Sequence, residues 1–72
     1  MLNLLGEDGY TGAVKYEGLR EILSIPGVHP FLYGKKITKP FRKMGHVTIM
    51  GDSRLDIEEK AEKVRNLIRV IS

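Results

Sequence analysis

The chain contains no cysteine, only two histidines and three prolines, and no apolar run long enough to cross a bilayer. Without cysteine there are neither disulfides nor thiolate metal centres, so the fold rests on packing alone. His29 and His46 stand seventeen residues apart, with no carboxylate close to either in sequence. That is neither metal-ligand spacing nor the setting of a general base, so both read as structural and no metal site is expected. No stretch approaches the roughly 20 apolar residues of a membrane span, and the start MLNLLGEDG lacks the basic and long apolar regions of a signal peptide. A soluble cytoplasmic protein with no membrane partner is predicted. The P-loop and GxGxxG patterns are both missing, as is a readable Ser/His/Asp set. The acids of NLLGEDG and GDSRLDIEE sit in a turn and at a helix start, where capping and the helix dipole account for them. The sequence offers no catalytic residue.

What is present is a concentration of positive charge. The formal net charge is +3, yet five of the twelve cations lie in YGKKITKPFRKMGH, residues 33–46, where there is no acid. The other seven face all nine acids, so the rest of the chain carries about −2. No acid occurs anywhere between Val28 and Gly51. Like charges held together cost free energy unless they stay solvated or meet an anion. Gly34, Pro40 and Gly45 punctuate this arm, while Ile37, Phe41 and Met44 interleave its charges as candidate anchors. An ordered arm of this kind calls for an anion. Arginine offers a two-pronged fork and lysine a mobile point charge, so Lys35 and Arg42, at opposite ends of a hairpin-like arm, form a candidate phosphate grip. Lys36, Lys39 and Lys43 supply a supporting field. Nucleic acid calls for a longer basic face or more stacking aromatics than Phe41 alone, and is disfavoured as a partner.

Seventy-two residues predict one domain, 1–72, of α+β class. Leu2, Leu4 and Leu5 form a short strand ended by GEDGYTG. From Val14, the residues Tyr16, Leu19, Ile22 and Leu23 recur at helical spacing, and Pro26 and Gly27 end the helix. VHPFLY resumes as a strand in which Pro30 demands an edge position or a bulge. HVTIM is its hairpin partner, with the basic arm as the loop between them. Ile57, Ala61, Val64, Ile68 and Ile71 mark one stripe of a final helix capped at Asp52, Ser53 or Asp56, with Asp56/Lys60 and Glu59/Lys63 as side-chain pairs. The order β-α-β-β-α describes a small, three-stranded, mainly antiparallel sheet with two helices over one face.

Three blocks, MLNLLG, PGVHPFLYGK and PFRKMGHVTIMG, resemble in order and spacing the C-terminal domain of N5-carboxyaminoimidazole ribonucleotide synthetase, an ATP-grasp enzyme family of purine biosynthesis. That family usually reads close to PGVHLHLYGK and then RPGRKMGHVTVLG, and the resemblance covers nearly the whole chain. It implies a phosphoribosylaminoimidazole carboxylase ATPase (ligase) system that uses MgATP and bicarbonate to carboxylate 5-aminoimidazole ribonucleotide. The ATP-grasp lysines and magnesium carboxylates have no counterpart in these residues. The resemblance therefore implies no cofactor in this chain, and an ATP-grasp domain or subunit supplied upstream or separately; self-association stays open. It also implies that Lys35 and Arg42 hold the substrate's 5′-phosphate. Phe41 stands where the family usually has glycine, Pro30–Phe31 where it has Leu-His, and Lys39 where it has arginine. The formate-dependent glycinamide ribonucleotide transformylase carries a similar FGK…RRMG arm, but NLLG and GHVTI favour the carboxylating family. A free-standing basic module for nucleic acid or phosphorylated metabolites is the competing class.

Overall fold

A computed structural model describes residues 1–72. Its elements are β1 (Leu2–Leu5), β2 (Gly12–Ala13), β3 (Lys15–Glu17), α1 (Leu19–Leu23), β4 (Val28–Leu32), β5 (Ile37–Thr38), β6 (Lys43–Ile49), α2 (Arg54–Leu67) and β7 (Arg69–Ile71). The main sheet is antiparallel in the order β1-β6-β4, so the expected hairpin between β4 and β6 forms and β1 lies on its far side. Pro30, which has no N–H to donate, sits on the edge strand opposite Val47. Alternation along the strands turns Leu4, Val28 and Val47 to one face, where Ile22 of α1 and Val64 of α2 close over them. Both helices thus cover one face. The other face, bearing His29, Phe31 and His46, is left without a helix.

Two regions differ from the spacing-based expectation. The helix expected from Val14 is only Leu19–Leu23, because Lys15–Glu17 pair as a strand with Arg69–Ile71. The final helix likewise stops at Leu67, and Ile68 turns to ψ 133°, so Ile68 and Ile71 leave the helical stripe; Ile71 serves β7 instead. The two departures are one event. The strand β7 needs a partner, and β3 supplies it in the register Tyr16 opposite Val70. A second small ladder, Gly12–Ala13 against Ile37–Thr38, ties the basic arm to the body. These additions keep the α+β class and the two helices while raising the strand count.

Helix α2 starts as its sequence suggests. Ser53 is the cap, its Oγ accepting the Asp56 N–H at 3.1 Å. Asp56 pairs with Lys60 at 3.1 Å and also accepts the Asp52 N–H at 3.2 Å. The hydrogen bond from Lys60, then that backbone N–H, together with the charges of Lys60 and Lys63, hold the Asp56 carboxyl below its usual value. A carboxyl with a lowered folded pKa adds stability that is fully present above its unfolded value of about 3.9 and lost as pH falls through the folded one. Acid melts should therefore show the unfolding temperature dropping below about pH 4, with a shallower drop in Asp56→Asn; identical acid profiles would refute the role.

Candidate functional site

The arm is shorter and better anchored than its charge pattern suggests. The strand β6 begins at Lys43 rather than His46, and the segment before it is held at several points. Lys36 C=O accepts the Val14 N–H at 3.0 Å, Thr38 is fully buried in the β2–β5 ladder, and Gly6 grips the far end. The Gly6 N–H donates to Arg42 C=O at 2.9 Å, and Gly6 C=O accepts the Phe41 N–H at 2.8 Å. A turn closes there as the Arg42 N–H reaches Lys39 C=O at 3.1 Å. Where β1 meets β6 the register slips between Leu4 and Leu5, and the extra residue, Met44, is buried completely. Met44 is an anchor, as proposed from sequence. Ile37 and Phe41 remain largely exposed.

Of the five cations, Lys36, Lys39 and Lys43 are exposed, while Lys35 and Arg42 are half-buried. The Lys35 ammonium is not free: it donates to Lys43 C=O at 2.8 Å, across the mouth of the arm and one residue beyond Arg42. The hairpin thus brings the Lys35 side chain to the backbone carbonyl of Lys43, next in sequence to Arg42. No acid pairs with any of the five. An ammonium fixed to a neutral carbonyl keeps its full charge and two further N–H donors for an anion. His29 is exposed, and His46 lies half-buried on the open face beside Phe31 and Tyr33. No group of three His, Asp or Glu side chains gathers to hold a metal ion.

Phe41 is the one non-glycine residue with positive φ, at 64°. A side chain in the left-handed region costs roughly 1–2 kcal/mol, and Phe41 recovers little of it, being 70% exposed. The family pattern's glycine at this position now has a backbone reason. Phe41→Gly should stabilise the chain by about 1 kcal/mol, some 4–8 °C in unfolding temperature, whereas Phe41→Ala keeps the strain. Equal melting of the two variants would show that the backbone is not strained there. The ring of Phe41 borders a cleft of about 360 Å³ whose apolar walls include Leu2, Leu5, Val64 and Ile68. This cleft lies apart from Lys35, and Phe41 is the arm's single contribution to it. A phosphate held at the surface by half-buried cations needs no enclosed cavity, so cleft and cation pair are separate features.

The family model for the phosphoribosylaminoimidazole carboxylase C-terminal domain matches residues 1–60. The chain is 41% identical over 71 residues to the N5-carboxyaminoimidazole ribonucleotide synthase of Aquifex aeolicus, covering 96% of this chain and 17% of that protein. It is 40% identical over 62 residues to the formate-dependent phosphoribosylglycinamide formyltransferase of Sulfolobus acidocaldarius, covering 86% of this chain and 16% of that protein. Among solved structures, it superposes on the crystal structure of N5-carboxyaminoimidazole ribonucleotide synthetase from Thermotoga maritima with a TM-score of 0.92 and 44% identity. That match covers 99% of this chain and 20% of the other, so the chain spans a fifth or less of the length of these relatives.

Proposed function

The chain belongs to the phosphoribosylaminoimidazole carboxylase C-terminal domain family, and from that premise we propose that it binds the 5′-phosphate of 5-aminoimidazole ribonucleotide through Lys35 and Arg42. The observation that carries this reading is the Lys35 ammonium tethered to the carbonyl of Lys43, the residue after Arg42, in a segment with no acid to neutralise it. Arg42 presents a planar fork to two phosphate oxygens, Lys35 a point charge to a third, and Lys36, Lys39 and Lys43 raise the local positive potential. Residues 1–72 act as one domain in this reading.

The chemistry falls to an ATP-grasp polypeptide, upstream or separate. It holds MgATP and bicarbonate and carboxylates the ribonucleotide in the cytoplasm, as a step of purine biosynthesis. Two observations support a partner of that size: the relatives are at least five times longer, and large apolar side chains such as Phe41, Leu55 and Met50 stand more than half exposed. No helix is long and apolar enough to cross a membrane.

The test is calorimetric or NMR titration of the ribonucleotide into the chain. Charge-assisted hydrogen bonds contribute about 1.5–3 kcal/mol, so Lys35→Ala and Arg42→Ala should each weaken binding about tenfold or more. Arg42→Lys should fall between, since it restores charge without the fork. Circular dichroism should stay native in all three. Unchanged affinity in both alanine variants would remove the assigned role. The likeness to the formyltransferase favours one second reading, in which the same pair holds the phosphate of glycinamide ribonucleotide. Titrating both ribonucleotides in parallel separates the two.

A further inference from the structure

We propose that the open sheet face beside the arm is a stacking platform for the planar heterocycle of a ribonucleotide, with Phe31, Tyr33 and His46 as its surface; it rests on the phosphate reading above. Three observations carry the proposal. The first is exposure: Phe31 and Tyr33 are 52% and 49% exposed, on a face that neither helix covers. The second is rigidity. The β4–β6 register sets Phe31 opposite His46, their rings stacked at 5.1 Å between centroids and 27° between planes. Tyr33 Oη shares a 2.9 Å hydrogen bond with His46 Nδ1 and the two rings lie 5.6 Å apart, which ties the imidazole to a second aromatic side chain. Aromatic surface ordered before binding loses little entropy when a ring settles on it.

The third observation is charge. The Lys35 ammonium lies 6.0 Å from the Tyr33 ring centroid, so phosphate grip and aromatic surface share an edge. No acid lies anywhere in residues 29–50, which contain both strands' contributions to this face and the arm. A cation adjoining a π-surface complements a ligand with an anion at one end and a planar ring at the other. One platform with one grip suits a single nucleotide; a nucleic-acid strand calls for repeated stacking along a basic track. His46, read from sequence as structural, becomes part of a binding surface.

The experiment titrates three probes into the full chain by NMR: 5-aminoimidazole ribonucleotide, its nucleoside without phosphate, and ribose 5-phosphate. Base stacking on an aromatic surface should make the ribonucleotide bind about fivefold or more tighter than ribose 5-phosphate. Phe31→Leu keeps an apolar side chain on the edge strand but removes the π-face, and should abolish that advantage while leaving ribose 5-phosphate affinity unchanged. Tyr33→Leu should also abolish that advantage and provides a second variant should the first fold poorly. Equal affinity for the ribonucleotide and ribose 5-phosphate, or an advantage that survives both variants, overturns the platform and leaves the phosphate grip standing. Nucleoside binding that is lost in Phe31→Leu, without binding of ribose 5-phosphate, upholds the platform and overturns the grip. If none of the three probes binds, both readings fall. An unrelated single-stranded oligonucleotide that binds tighter than the ribonucleotide, with a steep salt dependence and loss in Phe31→Leu, overturns the mononucleotide in favour of nucleic acid.

Discussion

Gly18→Ala is expected to leave most of the chain unfolded at room temperature. Gly18 joins β3 to α1 at φ 82°, a conformation that costs an alanine roughly 1–2 kcal/mol before any contact is considered. The added Cβ would land on the carbonyl oxygen of Leu67 and lie 2.6 Å from its carbonyl carbon. Both are backbone atoms at the end of α2, and no side-chain rotation relieves the overlap. Relief requires the end of α2 to separate from Gly18, which pulls β7 from β3 and disturbs fully buried Val64 below. Forced overpacking adds roughly 1–3 kcal/mol, and a domain of this size seldom holds more than about 3–5 kcal/mol in all. Far-UV circular dichroism and amide dispersion should therefore collapse. Gly9→Ala is the control, with φ 88° but no atom within 4 Å of its Cβ, and should lose only the strain energy. Similar melting of the two variants would show that the contact with Leu67 is immaterial.

Gly6→Ala should fold but lose the arm. The Cβ would land on Lys39 C=O and within 2.6 Å of the Thr38 hydroxyl, which is buried without a hydrogen-bond partner. Gly6 also holds Phe41 and Arg42 through its two backbone hydrogen bonds, so pushing the arm away releases Arg42. Overpacking and the lost bonds together should cost about 2–3 kcal/mol, and ribonucleotide binding should weaken at least as much as in Arg42→Ala. Thermal unfolding and titration of one sample report both effects. A native melting temperature with native affinity would show that Gly6 does not position the arm.

Much of this architecture was legible in the residues. LNLL, VHPFL and the HVTI part of β6 carry their apolar content within four or five positions, and Pro30 declares an edge from its missing donor. Ser53 and the Asp56/Lys60 pair announce the start of α2 through contacts three and four residues apart. The ladders β2–β5 and β3–β7 were hidden. Two- and three-residue strands have no period to detect, and Tyr16 fits a helical spacing as well as it fits the position opposite Val70. The left-handed backbone at Phe41 was visible only indirectly, as a family glycine replaced.

The charge of the arm follows the same division. Five cations without an acid is a property of composition and raises the expectation of an anion, while the choice of Lys35 and Arg42 came from their chemistry at the two ends of the arm and from the family resemblance. Which ammonium is tethered, which cations stay exposed, and how Phe31, Tyr33 and His46 come to share one surface depended on pairing β4 with β6. Sequence by itself determined the three strands of the main sheet, the existence of two helices and the site of the charge, because those depend on neighbours a few residues away. Tertiary structure decided helix lengths, the closing ladders and the aromatic surface, because these depend on contacts between residues 13 to 56 positions apart, whose register no local pattern records.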